Sequence, residues 1–556
     1  MHLLSRVRRV ALLIVFSPAA ALAQGAPPAD SVAAVDRIFA NWSSHQSPGC
    51  AVGVARNGQT ILERAYGMAN LEYDVPNTPA TIFEAGSVSK QFTASAVVLL
   101  SQQGKLSLDD EVSKYIPELP DYDTPITIRQ MLNHTSGLRD WGTVAMAMGW
   151  PRGTRTHTHA HVLDIVSRQE SLNYTPGAEY LYSNTGYNLA AVIVERVSGM
   201  SFAEFTRKQI FEPLGMTSTQ WRDDFTRVVK GRAAAYQRGR QGGWGLDMPF
   251  ENVHGNGGLL TTVGDLLKWN ENFVRPQVGG VGFIRDLQTR ARLTNGRDIT
   301  YALGLVVSSY RGVPEVSHTG ATAGYRAFLA RYPNQHLSVA VLCNAGNANT
   351  SLGQRVADVF LDGQTTLAGR PTGEPEVPLP ADQIAEKAGV YRNLLTNEVM
   401  RLVVRDGKLR VDNGPELTPL SRTVFRDPNG GIGTFEFGAK GRPAILRRAT
   451  AGGDTISYLV EEPWTPTRGE LQQYVGEYAS SEAEATYRVT AEENGKLMLR
   501  GRYGRTTELT PAYRHAFTST EGPSIVVFRR DPRGRVTTMS FGMGRVRDLQ
   551  FRRVGR

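Results

Sequence analysis

Ser87 and Lys90 lie three positions apart in FEAGSVSKQFTA, residues 83–94. A serine hydroxyl is a poor nucleophile at neutral pH unless a base takes its proton or a cation steadies its alkoxide. The run VSKQFTASAVVLLSQQG predicts a helix that opens at Ser87. Lys90 then sits one turn along, beside the hydroxyl. The free N–H groups and dipole of a helix start favour negative charge there. On its own the pair carries little, because Ser-x-x-Lys arises by chance and a lysine is ordinarily a solvated surface charge. Two other stretches add to it. TPGAEYLYSNTG (175–186) puts Tyr182 and Asn184 just before a second predicted helix. A tyrosine held near Lys90 would have a lowered pKa and serve as general base. The asparagine could hydrogen-bond a substrate amide. The plainer reading of Tyr182 is a half-buried tyrosine, which is how Tyr174, Tyr180 and Tyr187 read. VSHTGATAGYRAF (316–328) carries His318-Thr319-Gly320 on a strand leading into a hairpin. There the backbone N–H of Ala321 could pair with that of Ser87 as an oxyanion hole, although a lone histidine is more often structural.

One rival constellation exists. TRTHTHAH (154–161) places His157, His159 and His161 at alternate positions, which on an extended chain face one way and would suit zinc. The stretch runs into a helical pattern, VLDIVSRQESL, and that breaks the alternation. No metal and no organic cofactor is expected.

The elements that must position these residues are legible in part. CAVGVARNGQTILERAYG (50–67) reads as two strands around Asn57-Gly58, a pair that tolerates the positive φ of a type I′ turn. AFLARYPNQHLSVAVLCN (327–344) reads as a second hairpin turning at Pro333-Asn334. Helical patterns lie between them, at 88–103, 184–198 and 262–273. Strands at both ends with helices between predict an α+β unit over residues 31–368. GRPTGEPEVPLPADQ (369–383) is Pro-rich, without hydrophobic period, and reads as a linker. Beyond it the chain alternates with period two and repeats itself. AGVYRNLLTNEVMRLVVRDGKLRV (388–411) matches VGEYASSEAEATYRVTAEENGKLML (475–499), and LTPLSRTVF (417–425) matches LTPAYRHAF (509–517). Two all-β barrel-like modules are expected, 384–466 and 467–556. One larger barrel built from two halves is the alternative.

The first residues, MHLLSRVRRVALLIVFSPAAALAQ, have a basic start, an apolar run and Ala21-Leu22-Ala23. This reads as a signal peptide over residues 1–23, so the protein is expected in the periplasm or outside the cell, without stable membrane insertion. Its removal takes the formal charge from +9 to about +6. The remaining basic residues form no stripe, so no nucleic-acid partner is expected. Cys50 and Cys343 are too few for a disulfide framework, and buried thiols are the plain reading.

Taken in this order, the three stretches resemble those of the penicillin-recognising serine hydrolases: class C β-lactamases, low-molecular-mass penicillin-binding proteins, D-aminopeptidases and related esterases. The resemblance covers about residues 31–365 and includes MLNHTSGL (131–138), IFEPLGMTST (210–219) and GNGGLLTTVGDLLKW (255–269). It implies an antiparallel sheet flanked by helices, a helical subdomain, and lipocalin-like modules behind. It implies Ser87 as acylated nucleophile, Lys90 as its activator, Tyr182 as base and Asn184 as substrate ligand. His318, Thr319 and Gly320 would line the site, with Ala321 beside them. His134 and Gly137 read as structural loop residues. Histidine at 318 departs from the lysine usual in β-lactamases and carboxypeptidases, where it helps hold a substrate carboxylate. The departure points toward the D-aminopeptidase branch, in which a barrel loop reaches the cleft. Glu461-Glu462 is expected to meet a substrate amine there. The family topology also sets strand 51–56 antiparallel beside 337–343, which implies a Cys50–Cys343 disulfide. The implied activity is hydrolysis, through an acyl-enzyme, of a small peptide, amide or ester, with D-residues from cell-wall material as one source. The alternatives are a β-lactamase or esterase acting on a β-lactam or ester, and a non-catalytic cell-wall or β-lactam-binding protein.

Overall fold

In the computed structural model, Asn57 and Gly58 both take positive φ, 53° and 77°. They join β1 (Cys50–Arg56) to β2 (Gln59–Tyr66) as an antiparallel pair, as their sequence dictates. The structure describes residues 29–361, 376–428, 430–438, 441–449, 455–493 and 495–555. The signal-peptide reading of residues 1–23, and residues 369–375 of the linker reading, lie outside the described residues.

Four further strands, β3 (Val306–Tyr310), β4 (Val313–Thr322), β5 (Tyr325–Tyr332) and β6 (Leu337–Cys343), complete a six-stranded antiparallel sheet. Its order is β3-β4-β5-β6-β1-β2. The last hairpin turns through Pro333–Gln335 and a left-handed His336, a longer connection than the Pro333-Asn334 turn expected. β1 is buried on both faces. Val52 and Val54 pack with Val339, Val341 and Val356 on one side, while Ala51 and Ala55 join Val263, Leu266 and Leu267 on the other. In register, Cys50 opposes Cys343, and the two form a disulfide.

α1 (Lys90–Gln102) is buried along its whole length from Lys90 to Leu100. Its apolar residues face every direction, which marks a central helix rather than a surface one. It packs on α2 (Thr185–Ser198). The pairing sets the N-terminus of α1, with Ser87 before it, near the N-terminus of α2, with Asn184 before it.

The C-terminal repeat folds as two eight-stranded antiparallel barrels. The first runs from Gly389–Asn393 round to Thr455–Glu461, and these two strands pair with each other. It is closed except where Lys408–Val411 meets Thr418–Pro419, which the isolated bridge Arg410–Glu416 spans. The second, from Gly476–Ser480 to Leu549–Val554, is fully closed. Its last two strands are β7 (Val536–Gly542) and β8 (Leu549–Val554). The repeated G-x-Y has a physical cause. Tyr391 and Tyr478 are both buried in their barrels, and each hydroxyl donates to the carbonyl four residues earlier, Lys387 at 2.7 Å and Tyr474 at 2.8 Å. Each tyrosine so closes the turn that leads into its barrel's first strand, filling the interior while its polar tip stays satisfied.

Candidate active site

Gly86 has φ +50° and sits against β4: a Cβ on it would lie 2.7 Å from the amide nitrogen of Ala321. A Cβ on Gly320 would lie 2.0 Å from the carbonyl oxygen of Ala85. Only glycine permits both approaches, and together they bring the Ser87 turn against the strand that carries Ala321. The turn Gly86–Ser89 is a single 3₁₀ turn leading into α1. Ser89 Oγ fixes it by donating to the Gly86 carbonyl at 2.6 Å and accepting from Leu259 N–H at 3.1 Å. Ser87 is left half-buried, opening onto a cavity of about 580 Å³.

Lys90 is fully buried, as the sequence reading expected. Its Nζ lies 3.1 Å from Ser87 Oγ, 3.0 Å from Asn184 Oδ1 and 2.7 Å from the Asn256 carbonyl oxygen. Burial pushes its pKa well below the ordinary lysine value, helped by the positive charges of Arg545 and Arg152 and opposed by Asp140. All three partners are oxygen atoms. In the neutral form two N–H groups would donate to Asn184 and Asn256, leaving the lone pair to take the Ser87 hydroxyl proton.

Tyr182 stands beside this pair, with Lys90 Nζ 4.8 Å from its ring centroid. The expectation of a lowered pKa is not met. Burial dominates and pushes the phenol well above its ordinary value, although the Ser87 hydroxyl and Arg545 draw it down. A nearby cation would lower it, but the desolvation that depresses the Lys90 pKa also keeps the proton on Tyr182. The Tyr182 ring is caged by His134, 4.2 Å between centroids, and by Tyr301. His134 is structural, as expected: its Nδ1 accepts from Ser183 N–H and its carbonyl from Leu181 N–H. Tyr187, read as an ordinary half-buried residue, is fully buried and also faces Lys90, 5.4 Å from its ring centroid. Asn184 is oriented through its backbone N–H, which donates to Asp140 Oδ2 at 2.8 Å.

His318 lines the same cavity with Thr319, Gly320 and Ala321. β4 is interior to the sheet, but its pairing with β3 stops at Ser317, so residues 318–322 present a free edge to the Ser87 turn. His318 Nδ1 lies 2.6 Å from the Thr319 carbonyl and must donate to it, so Nε2 accepts from Tyr301 Oη at 2.9 Å. Burial, then the nearby Lys90, pushes its pKa down to about 4. The imidazole is therefore neutral at pH 7 and offers no positive charge to a ligand. His134 and His254 are likewise held well below the ordinary value by burial. Unfolding exposes these rings, so the unfolded chain binds more protons between about pH 6.5 and 4. Stability is fully present above pH 6.5 and is lost as the pH falls toward 4, His318 alone contributing on the order of 3 kcal/mol. Urea midpoints at pH 7.5 and 5 check this, and His318→Gln should give the shallower fall.

The histidine string does not converge. His161 caps the helix His159–Ser167 through Thr158, His159 Nε2 lies 3.1 Å from the His254 carbonyl, and His157 packs on Trp141. Among the described residues no group of three His, Cys, Asp or Glu side chains could hold a metal ion.

Asn256, Arg152 and Arg545 are among the contributors to the cavity that escaped the sequence reading. Asn256 accepts from Lys90 and is held by Asn188 Nδ2 at 2.7 Å. It lies inside GNGGLL, whose glycines were the only signal. Arg152 enters from the helical side, with its Nε 2.9 Å from Glu251 Oε2. Arg545 comes from the turn between β7 and β8 of the second barrel. Glu461, expected to meet a substrate, instead pairs with Arg392 at 2.6 Å inside the first barrel, and Glu462 is exposed. Neither lines the cavity.

Residues 33–362 match the family described as Beta-lactamase. A D-aminopeptidase from Brucella canis is 27% identical over 544 residues, 93% of this chain and 98% of that protein. A penicillin-binding protein from Bacillus subtilis is 29% identical over 422 residues, 68% of this chain and 88% of that protein. The octameric penicillin-binding protein homologue from Pyrococcus abyssi shares the fold with a TM-score of 0.54 at 21% identity, over 86% of this chain and 99% of that one.

Proposed function

Since this chain belongs to the beta-lactamase family and is a serine hydrolase of it, we propose that it cleaves small peptides, amides or esters through an acyl-enzyme on Ser87. Substrates carry D-residues, as the D-aminopeptidase relatives suggest. The observation that carries this reading is the fully buried Lys90, with its Nζ 3.1 Å from the Ser87 hydroxyl. Ser87 Oγ attacks the carbonyl carbon as its proton passes to Lys90 Nζ. The oxyanion lies between the N–H groups of Ser87 and Ala321. Collapse breaks the bond to the leaving group, which takes the Tyr182 proton. Lys90 then returns its proton to Tyr182, and both groups are neutral again. Water repeats the cycle in place of Ser87 and expels the serine. Asn184 keeps its amide N–H₂ for a substrate carbonyl, because its Oδ1 is taken by Lys90.

Export to the periplasm or medium, and cell-wall fragments as the source of substrate, belong to the same proposal. They rest on the leader-like first residues. Among the described residues no helix is long and apolar enough to cross a membrane. The test is initial rates on D-alanine p-nitroanilide, its L-enantiomer, p-nitrophenyl acetate and nitrocefin, with Ser87→Ala as control. Turnover of a D-amide that the variant loses supports the proposal. Nitrocefin turnover alone would make the protein a β-lactamase. Binding of these compounds without turnover, unaltered in Ser87→Ala, would make it a non-catalytic binding protein.

A further inference from the structure

The turn between β7 and β8 crosses from the second barrel to the cavity over Ser87. Its backbone is held on both sides. Asn173 Nδ2 donates to the Arg545 carbonyl at 3.0 Å, and Asn173 Oδ1 accepts from Arg547 N–H at 2.8 Å. Arg139 donates to the carbonyls of Arg547 and Asp548 at 3.1 and 3.2 Å, and Arg547 pairs with Glu179 at 3.0 Å. The Arg545 side chain, by contrast, remains 44% exposed. Its guanidinium lies 4.9 Å from the Tyr182 ring centroid and 3.8 Å from Asp140 Oδ2. That carboxylate is already engaged. Oδ2 accepts from Asn184 N–H, and Oδ1 accepts from Thr143 N–H and Oγ1–H. Arg545 therefore has only a long, partial counter-charge.

The rest of the cavity is cationic too. Among the described residues no aspartate or glutamate lines it. Arg326 lines it and donates to the carbonyls of Ala323 and Tyr325, both at 2.7 Å. Arg152, which also lines it, and Arg222 and Arg232 behind it share two carboxylates, Glu84 and Glu251. Lining charges of one sign focus a field on a ligand. His318, in the place where a lysine would serve a carboxylate, is committed on both nitrogens.

We propose that Arg545, carried into the cleft by the second barrel, binds a carboxylate of the substrate and makes the enzyme prefer acidic peptides and amides over substrates with a free amine. The inference rests on the hydrolase reading above and deepens it. A guanidinium suits the role because its planar fork bonds a carboxylate at two points. A substrate ammonium would meet unbalanced positive charge in the same place. Arg545 then supplies the cation that the strand residue His318 does not.

Three matched substrates test this: N-succinyl-, N-acetyl- and free D-alanine p-nitroanilide, bearing negative, neutral and positive groups. Fluorophosphonate labelling of Ser87 is followed in parallel. The full chain should favour the succinyl over the acetyl substrate, and the free amine should be the slowest. The succinyl-to-acetyl ratio of kcat/KM should fall about 10- to 100-fold in Arg545→Ala. It should be largely retained in Arg545→Lys and reversed in Arg545→Glu, with the change in KM. A purely structural loop residue would not order the variants by charge. A ratio that does not follow the charge at 545 overturns the inference while leaving the hydrolase reading intact. Failure of a labelled protein to process the succinyl substrate overturns it as well. Absence of labelling at Ser87 removes the hydrolase reading, and this inference with it.

Discussion

Lys90→Met should lower kcat by about 10³- to 10⁴-fold, the size expected when a positioned general base is lost. Lys90→Arg should rescue nothing, because a guanidinium keeps its charge and cannot take the Ser87 proton. The pH profile gives the sharper reading. Burial, Arg545 and Arg152 hold the Lys90 pKa well below that of a free lysine. The competent form is the neutral amine, so activity is present above the depressed pKa and is lost as the pH falls through it. Were Lys90 instead a permanent cation stabilising the alkoxide, no acid limb would come from it. Tyr182 is pushed the other way, so it contributes no alkaline limb near neutrality. In Tyr182→Phe, amide substrates should therefore suffer more than p-nitrophenyl esters, whose leaving group departs without a proton. Initial rates from pH 5 to 9 on one amide and one ester check all of these. An acid limb that survives in Lys90→Met would assign the proton acceptor to another group.

How much of this was legible follows the range of the interactions. Ser87 and Lys90 are neighbours on one helix turn, so three residues of sequence carry their geometry. The Asn57-Gly58 hairpin is equally local. The two barrels were legible because the G-x-Y tyrosine does the same job twice, in the first strand of each, bonding back to the turn before it. The titration state of Tyr182 was not legible. It depends on how completely α1, α2 and β4 exclude water, and desolvation outweighs the nearby lysine that the sequence suggested as the controlling charge. Glu461 and Arg545 make the same point about distance. Both are charged residues on barrel strands or turns, and local pattern does not distinguish them. Which one reaches the cleft is decided by the face on which the second barrel docks, and that is a matter of tertiary complementarity.

One buried ion pair stands in that docking junction, beside a shared apolar cluster, and breaking it should loosen the barrel. Arg139 and Glu482 side chains are 1% and 6% exposed and form a salt bridge between the α+β unit and the second barrel. Arg139 also donates to Ser171 Oγ at 2.9 Å and to the carbonyls of Arg547 and Asp548, while Glu482 accepts from Glu170 N–H at 2.8 Å. Arg139→Ala leaves Glu482 as a buried, uncompensated charge and orphans two carbonyls of the turn that carries Arg545. The cost should be about 3–5 kcal/mol, since removing one partner exacts the desolvation of the other. A contribution this large exceeds what exposed pairs across the same junction, such as Arg168–Glu484 at 3.5 Å, would supply. The second barrel should then melt in an earlier transition of its own, seen by calorimetry and as new proteolytic cuts around residues 462–475. Arg139→Met with Glu482→Gln should recover part of the loss, because no charge is left buried. If the single variant melts with the wild type, the apolar contact between the two units holds the barrel by itself, and the ion pair serves only to set the register in which Arg545 meets the cleft.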